Sequence, residues 1–339
     1  MNTIELKTPY LVFLGDAEDL IMAKVAKGVA HWRPEKCLAQ FRLPEAKAKL
    51  DLPEMSPKEA AKAGAKTFVM GLAPIGGTLP KAWISILVDA MEAGLDIASG
   101  LHAKLTDIPE LVEAAARTGQ RLLDVRVPQG EMVCGTGLPR SGKRLLAVGT
   151  DCCVGKMFTT LAIHREMQKR DIKATFRATG QTGILIEGSG VPVDAVVSDF
   201  IAGMVEQLTP ANDVDHWDII EGQGALSHPA YAGVSLGLLH GAQADVIIVC
   251  HEAGREQMDG MEGYPVLDLQ EVIDMNLSMG KLTNPNIRLG GIALNTSNLS
   301  EDDAFTTIAQ IEQRFGVPVV DPVRTGVKAI VDHLEITHA

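Results

Sequence analysis

The chain has 339 residues, 46% hydrophobic and 22% charged, which is enough to bury the cores of about two domains and too apolar for disorder. Its 31 basic and 43 acidic residues leave a net charge of −12, with no basic stripe and only 4% aromatics, so the composition speaks against a nucleic-acid surface. No stretch reaches the roughly 18 apolar residues of a membrane span. Residues 1–7 are polar and unlike a signal segment, and five cysteines without a CxxC pair suggest neither a disulfide framework nor a structural zinc site, so a cytoplasmic protein is expected.

Strand-like and helix-like segments alternate along the chain, the pattern of an α/β fold with a mainly parallel sheet. Strands are expected at 10–14, 37–41, 67–71, 95–98 and 121–125. Between them, Ser56-Pro57-Lys58-Glu59 has the pattern of a capping box with proline in the first turn, and Pro80 opens a helix that Gly94 closes. From 125 to 144 the alternation lapses among Pro128, Gly130, Gly135, Gly137, Pro139 and Gly142, which marks a linker. The division is therefore a domain at 1–130, a linker at 131–143 and a second domain at 144–339. The second domain is expected to carry strands at 145–148, 174–178, 217–221, 245–250, 289–294 and 317–320, and helices at 156–170, 194–208, 268–279, 300–315 and 327–334.

The strongest local signal is the apolar strand that runs into Gly149-Thr150-Asp151-Cys152-Cys153-Val154-Gly155-Lys156-Met157. A strand, a glycine-bounded loop and a helix opening at Gly-Lys form a phosphate cradle, in which loop amides and the helix N-terminus meet an anion and the lysine adds a point charge. Five residues rather than four separate Gly149 from Gly155, and Met157 stands where a nucleotidase places a serine or threonine to hold magnesium. A thioether suits that hard cation poorly. Phosphate binding is expected to survive this departure, and γ-phosphate cleavage is not. Polar turns at later strand ends, two of them glycine-bearing (Arg177 to Gly183 and Glu221 to Pro229) and one running Leu294 to Ser297, outline one site along one edge of the sheet.

Gly149-Thr-Asp-x-x-Val-Gly-Lys, a later Glu-Gly-x-Gly and a strand ending in Asn resemble the dethiobiotin-synthetase branch of P-loop proteins, over the second domain only. A closer resemblance spans nearly the whole chain. GTDCCVGKM, ATGQTGILIEGSGVPVDAVVSDF, IIEGQGALSHPAYAGVSLGLLHGA and GLAPIGGTLP are similar to the D-glutamate N-acetyltransferase (DgcN-type) family of P-loop proteins. That resemblance implies a Rossmann-like N-terminal domain, a C-terminal P-loop domain and acetyl transfer from acetyl-CoA to D-glutamate. Acetyl-CoA carries a pyrophosphate and a 3′-phosphate, so the cradle at residues 149–157 would hold the cosubstrate without phosphoryl transfer, and no metal is expected.

Acetyl transfer to an amine requires a base, positioning groups and oxyanion stabilisation. His228 and Glu221 are the candidate bases, with packing or loop-holding as the alternative for each. Cys152 and Cys153 could carry an acetyl group, but they read more simply as small loop residues. Arg177 is the first candidate for a substrate carboxylate, followed by Arg255 and Arg324, while Gln181 and Thr182 could orient the amine or the carbonyl. In the first domain there is no GxGxxG fingerprint, and the loop at 72–78 is either part of a ligand cleft or a plain turn. Alternatives are an ATP-dependent ligase or kinase of the dethiobiotin-synthetase kind, and a regulatory module that binds nucleotide or CoA without turnover. The partners expected are small molecules, with room for a homo-oligomer and none for nucleic acid or a membrane.

Overall fold

All eleven strand segments expected from the alternating pattern form strands in the computed structural model, which describes residues 4–20, 22–72, 79–101 and 103–337. After a short strand β1 (Ile4–Glu5), the first sheet is built from β2 (Tyr10–Gly15), β3 (Cys37–Arg42), β4 (Thr67–Met70), β5 (Asp96–Ser99) and β6 (Leu122–Asp124). Their order is β3-β2-β4-β5-β6 and every neighbouring pair is parallel. Every residue of β2 is buried, as in a strand packed on both faces. The helices between are α1 (Lys24–Trp32), α2 (Pro57–Lys62), α3 (Lys81–Glu92) and α4 (Pro109–Thr118). The Ser56 hydroxyl accepts from the Glu59 N–H while the Glu59 carboxylate accepts from the Ser56 N–H, closing the expected capping box on α2.

The second sheet begins with β7 (Lys143–Gly149), which feeds α5 (Lys156–Lys169) and then β8 (Ala174–Arg177). The chain next forms α6 (Gln181–Glu187) and β9 (Ser189–Gly190), and β9 pairs antiparallel with β1. It continues through α7 (Ile201–Leu208), β10 (Trp217–Ile220), α8 (Ala232–Ala242), β11 (Val246–Glu252), α9 (Leu269–Gly280), β12 (Arg288–Asn295), α10 (Glu301–Phe315), β13 (Val319–Val320) and α11 (Lys328–Thr337). The strand order is β13-β12-β11-β7-β10-β8, parallel throughout. The chain fills one side of β7 first and the other side afterwards, so the order reverses beside β7, where such sheets place ligands at the carboxyl ends of their strands. Leu145, Ala147, Ile163, Ile219, Ile248 and Ile330 are among the buried side chains of this sheet's core.

The chain divides into two units, one of Glu131–Thr179 and Val196–Ala339 and the other of Asn2–Gly130 with Gly180–Ala195. Residues 180–195, which the division drawn from the sequence puts inside 144–339, thus lie with the N-terminal unit. The helix expected over 194–208 starts only at Ile201, preceded by single 3₁₀ turns at Val193–Ala195 and Ser198–Phe200. Val191, Val193, Val196 and Val197 crowd this stretch, and β-branched side chains weaken a helix start. Among the described residues no helix is long and apolar enough to cross a membrane.

Candidate functional site

β7 delivers Gly149 to the carboxyl edge of the sheet, where the Thr150 N–H donates to the Cys250 carbonyl at 3.1 Å. The loop turns through two left-handed residues, Cys153 at φ 56° and Gly155 at φ 99°. Gly155 is the N-cap of α5 and no side chain caps this end, so the first-turn N–H groups keep their capacity for an anion. A Cβ at Gly149 would stand 2.9 Å from Val154 Cγ2 and 3.1 Å from Lys156 Nζ, so the missing side chain is what lets the lysine lie inside the loop. Lys156 Nζ donates to the Asp151 carbonyl at 2.6 Å, and burial pulls its ammonium pKa below the usual lysine value. Gly222, after β10, makes the other wall: a Cβ there would sit 1.8 Å from the Ala147 carbonyl oxygen and 2.9 Å from Lys156 Cδ.

The first half of the loop is clamped by Asp151, which is fully buried. One carboxylate oxygen accepts the Cys152 N–H at 2.6 Å, and the other accepts Arg255 Nη1 at 2.8 Å and the Asp259 N–H at 2.7 Å. Arg255 also donates to the Cys152 carbonyl at 3.0 Å and pairs with Glu252. Burial works against the Arg255 charge, but its bonds to Asp151 and Glu252 outweigh that and raise its pKa. Arg255 therefore serves the loop. His251, at the end of β11, brings Nδ1 to 3.0 Å from the Thr150 hydroxyl, and burial, with Arg255 second, lowers its pKa.

His228 reaches the same loop from the turn after β10, with Nε2 3.9 Å from an Asp151 carboxylate oxygen. The Ala230 N–H donates to its Nδ1 at 3.1 Å, and its ring stacks on Tyr231 with 4.5 Å between centroids. Cys152 Sγ lies within 4.8 Å of both, and these three side chains are the one group among the described residues spaced for a metal ion. The donor set fits a metal badly. Asp151 already accepts three N–H groups, Nδ1 of His228 is turned to an amide donor, and burial raises the Cys152 thiol pKa.

The remaining candidates lie as follows. Glu221 is buried, accepting the Thr179 N–H at 2.8 Å while its carbonyl accepts the Thr179 hydroxyl at 2.7 Å, so it braces the turn after β8. Arg177 is ion-paired with buried Asp218 through Nε at 2.7 Å. Arg324 donates to the carbonyls of Thr296 and Leu299. Gln181 and Thr182 sit in the other unit on α6, where Gln181 packs against Gly100 and Thr182 approaches Gly28. The loop at 73–78 lies outside the described residues. The sequence reading passed over His251, although its position at the end of a central strand was the available signal. A cavity of about 200 Å³ also lies along α5, lined by Val154, Phe158, Asn295, Asp321, Pro322 and Val323 among others.

A parallel sheet whose central strand runs through a glycine-bounded loop into an uncapped helix defines a P-loop α/β protein. The P-loop domain described as "Domain of unknown function (DUF1611_C)" matches residues 133–331, the Rossmann-like domain described as "Domain of unknown function (DUF1611_N)" matches 42–128, and the chain belongs to this DUF1611 family. It is 51% identical to a D-glutamate N-acetyltransferase of Tritonibacter scottomollicae, over 97% of this chain and 99% of that one. It is 47% identical to a D-glutamate N-acetyltransferase of a Pseudoalteromonas species, over 98% of this chain and 100% of that one. The crystal structure of a DUF1611 family protein from Anabaena variabilis superposes with a TM-score of 0.83 at 30% identity, over 97% of this chain and all of the other.

Proposed function

We propose that the protein transfers the acetyl group of acetyl-CoA to the amino group of D-glutamate, with residues 149–157 cradling a phosphate of the CoA. The observation that carries this reading is the end-to-end correspondence with two proteins so named. The geometry supports it. The loop offers uncapped helix amides and a buried lysine to an anion, and the cavity along α5 offers apolar walls and the Asn295 amide to a flat heteroaromatic base such as adenine. Met157 supplies no hydroxyl for magnesium, and aminolysis of a thioester needs none.

The substrate nitrogen attacks the thioester carbonyl, the C–N bond forms, the C–S bond breaks, and the thiolate leaves to be protonated as CoA. The proton lost by the ammonium goes to a base at the strand edge. Glu221 and His228 each have an accepting atom occupied by a backbone N–H. The Nδ1 of His251 faces the Thr150 hydroxyl, which can donate or accept, and burial keeps the ring unprotonated at neutral pH, so it is placed to take the proton. Gln181 and Thr182 remain candidates for contacting D-glutamate, and so does Arg177, whose Nε is held by Asp218.

Lys156→Ala tests the cradle. A charge-assisted contact to phosphate is worth roughly 1.5–3 kcal/mol, so the affinity for acetyl-CoA should fall about ten- to a hundredfold while the melting temperature holds. An unchanged Kd by calorimetry would remove the phosphate from this loop.

A further inference from the structure

His228 is almost wholly buried, at 1% exposure, and its Nε2 has no hydrogen-bond partner among the described residues. Its ring cannot turn freely. The Ala230 N–H holds Nδ1 at 3.1 Å, Tyr231 covers one face, and the His228 N–H is fixed to the Ala225 carbonyl. An N–H can be met only by a lone pair, so Nδ1 is unprotonated and the neutral ring carries its proton on Nε2. Adding a second proton at Nδ1 would set two N–H groups against each other. The ring therefore presents a rigid, uncharged donor, not an acceptor. The nearest carboxylate oxygen, on Asp151, is 3.9 Å away, beyond hydrogen-bond reach, and that carboxylate already accepts three N–H donors.

A buried N–H with no acceptor is costly to a fold, and a catalytic role is one of the reasons such a group is kept. This donor lies within 4.8 Å of an Asp151 carboxylate oxygen and of Cys152 Sγ, the third and fourth residues of the phosphate loop. We propose that Nε2–H of His228 donates to the acetyl carbonyl oxygen of the bound thioester and stabilises the oxyanion that forms when the amine attacks. This rests on the acetyl-transfer reading above. Asp151 beside the donor is ion-paired with Arg255, which offsets its charge, so negative charge can grow on a carbonyl oxygen placed there. The hydrogen bond then strengthens as negative charge grows on the oxygen, without any proton being transferred.

The test has two arms that fail separately. In ligand-free protein carrying ¹⁵N-histidine, long-range ¹H–¹⁵N correlation at pH 7.5, assigned by loss of the signal in His228→Gln, should show the Nε2–H tautomer. The Nδ1–H tautomer would overturn the proposal whatever the enzyme's substrate. In the kinetic arm, His228→Gln keeps an N–H at similar reach and should lower kcat only about tenfold, whereas His228→Ala should lower it about 10²–10³-fold at nearly unchanged KM for acetyl-CoA. Circular dichroism and thermal melts of both variants check folding. Equal, near-complete loss in two folded variants would make His228 a base. A rise in the Kd of CoA and acetyl-CoA alike, with kcat kept, would move the donor to a phosphate. Wild-type kcat in His228→Ala would reduce the ring to packing. Each of these three results overturns the assignment. If the wild-type protein shows no acetyl transfer but the tautomer is Nε2–H, the acetyl-transfer reading fails and the donor geometry stands.

Discussion

At the scale of single residues, the loop's chemistry is decided by which polar atoms are already committed. Asp151, read from the sequence as part of the phosphate loop, gives its two oxygens to the N–H groups of Cys152, Arg255 and Asp259. Arg177 looks like a carboxylate ligand, yet it is held by Asp218, and burial raises the pKa of Cys152 away from the thiolate a nucleophile needs. None of these commitments is visible locally, because the partners lie 41 to 108 residues apart in three of the pairings, Arg177 with Asp218, Arg255 with Asp151 and Asp259 with Asp151. His251 is the residue whose chemistry is left available. Because burial lowers its pKa, the unprotonated form persists below the ordinary imidazole value of about 6.5 and is lost only as pH falls further. Acetyl transfer should therefore show an acid limb with a midpoint below that value. His251→Ala should cost roughly 10²–10⁴-fold in kcat and remove the limb. A limb that persists in the variant would assign the base elsewhere.

At the scale of elements, the regular pieces were readable and the glycine-rich ones were not. Alternating apolar runs marked every strand of both sheets, and the Ser56 box marked α2 down to its first residue. Helix α8 was not among the expected helices, and its Gly233, Gly237 and Gly241 are weak helix formers. Their role is steric. A Cβ at Gly237 would meet Ile201 at 2.7 Å and one at Gly241 would meet the Ala202 carbonyl at 2.3 Å, so small residues let α7 and α8 touch. The same logic gives a prediction at the turn after β10. Gly222→Ala places a methyl 1.8 Å from the Ala147 carbonyl and against the Lys156 stem. The variant should lose upward of about 2 kcal/mol of stability and bind acetyl-CoA more weakly. A wild-type melt together with wild-type affinity would show that the lysine does not depend on this wall.

For the molecule as a whole, the order of the alternating segments was enough to show the α/β class, because parallel strands require crossover helices. The excursion of residues 180–195 was not legible. Its anchors, Glu187 on Arg33 and Lys36 and the pairing of β9 with β1, join residues more than 150 positions apart and leave no periodic mark. Gln181 and Thr182, expected among the substrate contacts, belong to this excursion. The fold and the cradle support binding of a phosphate-bearing cosubstrate, and the relatives' shared name supplies the acceptor. The most direct measurement is acetyl-CoA-dependent thiol release against amino acids of both hands, with the product identified by chiral chromatography and mass spectrometry, in the presence of EDTA and without ATP. The account predicts stoichiometric CoA release and N-acetyl-D-glutamate with D-glutamate, and little turnover with L-glutamate. Release that requires ATP and magnesium, or no release with D-glutamate, would contradict it.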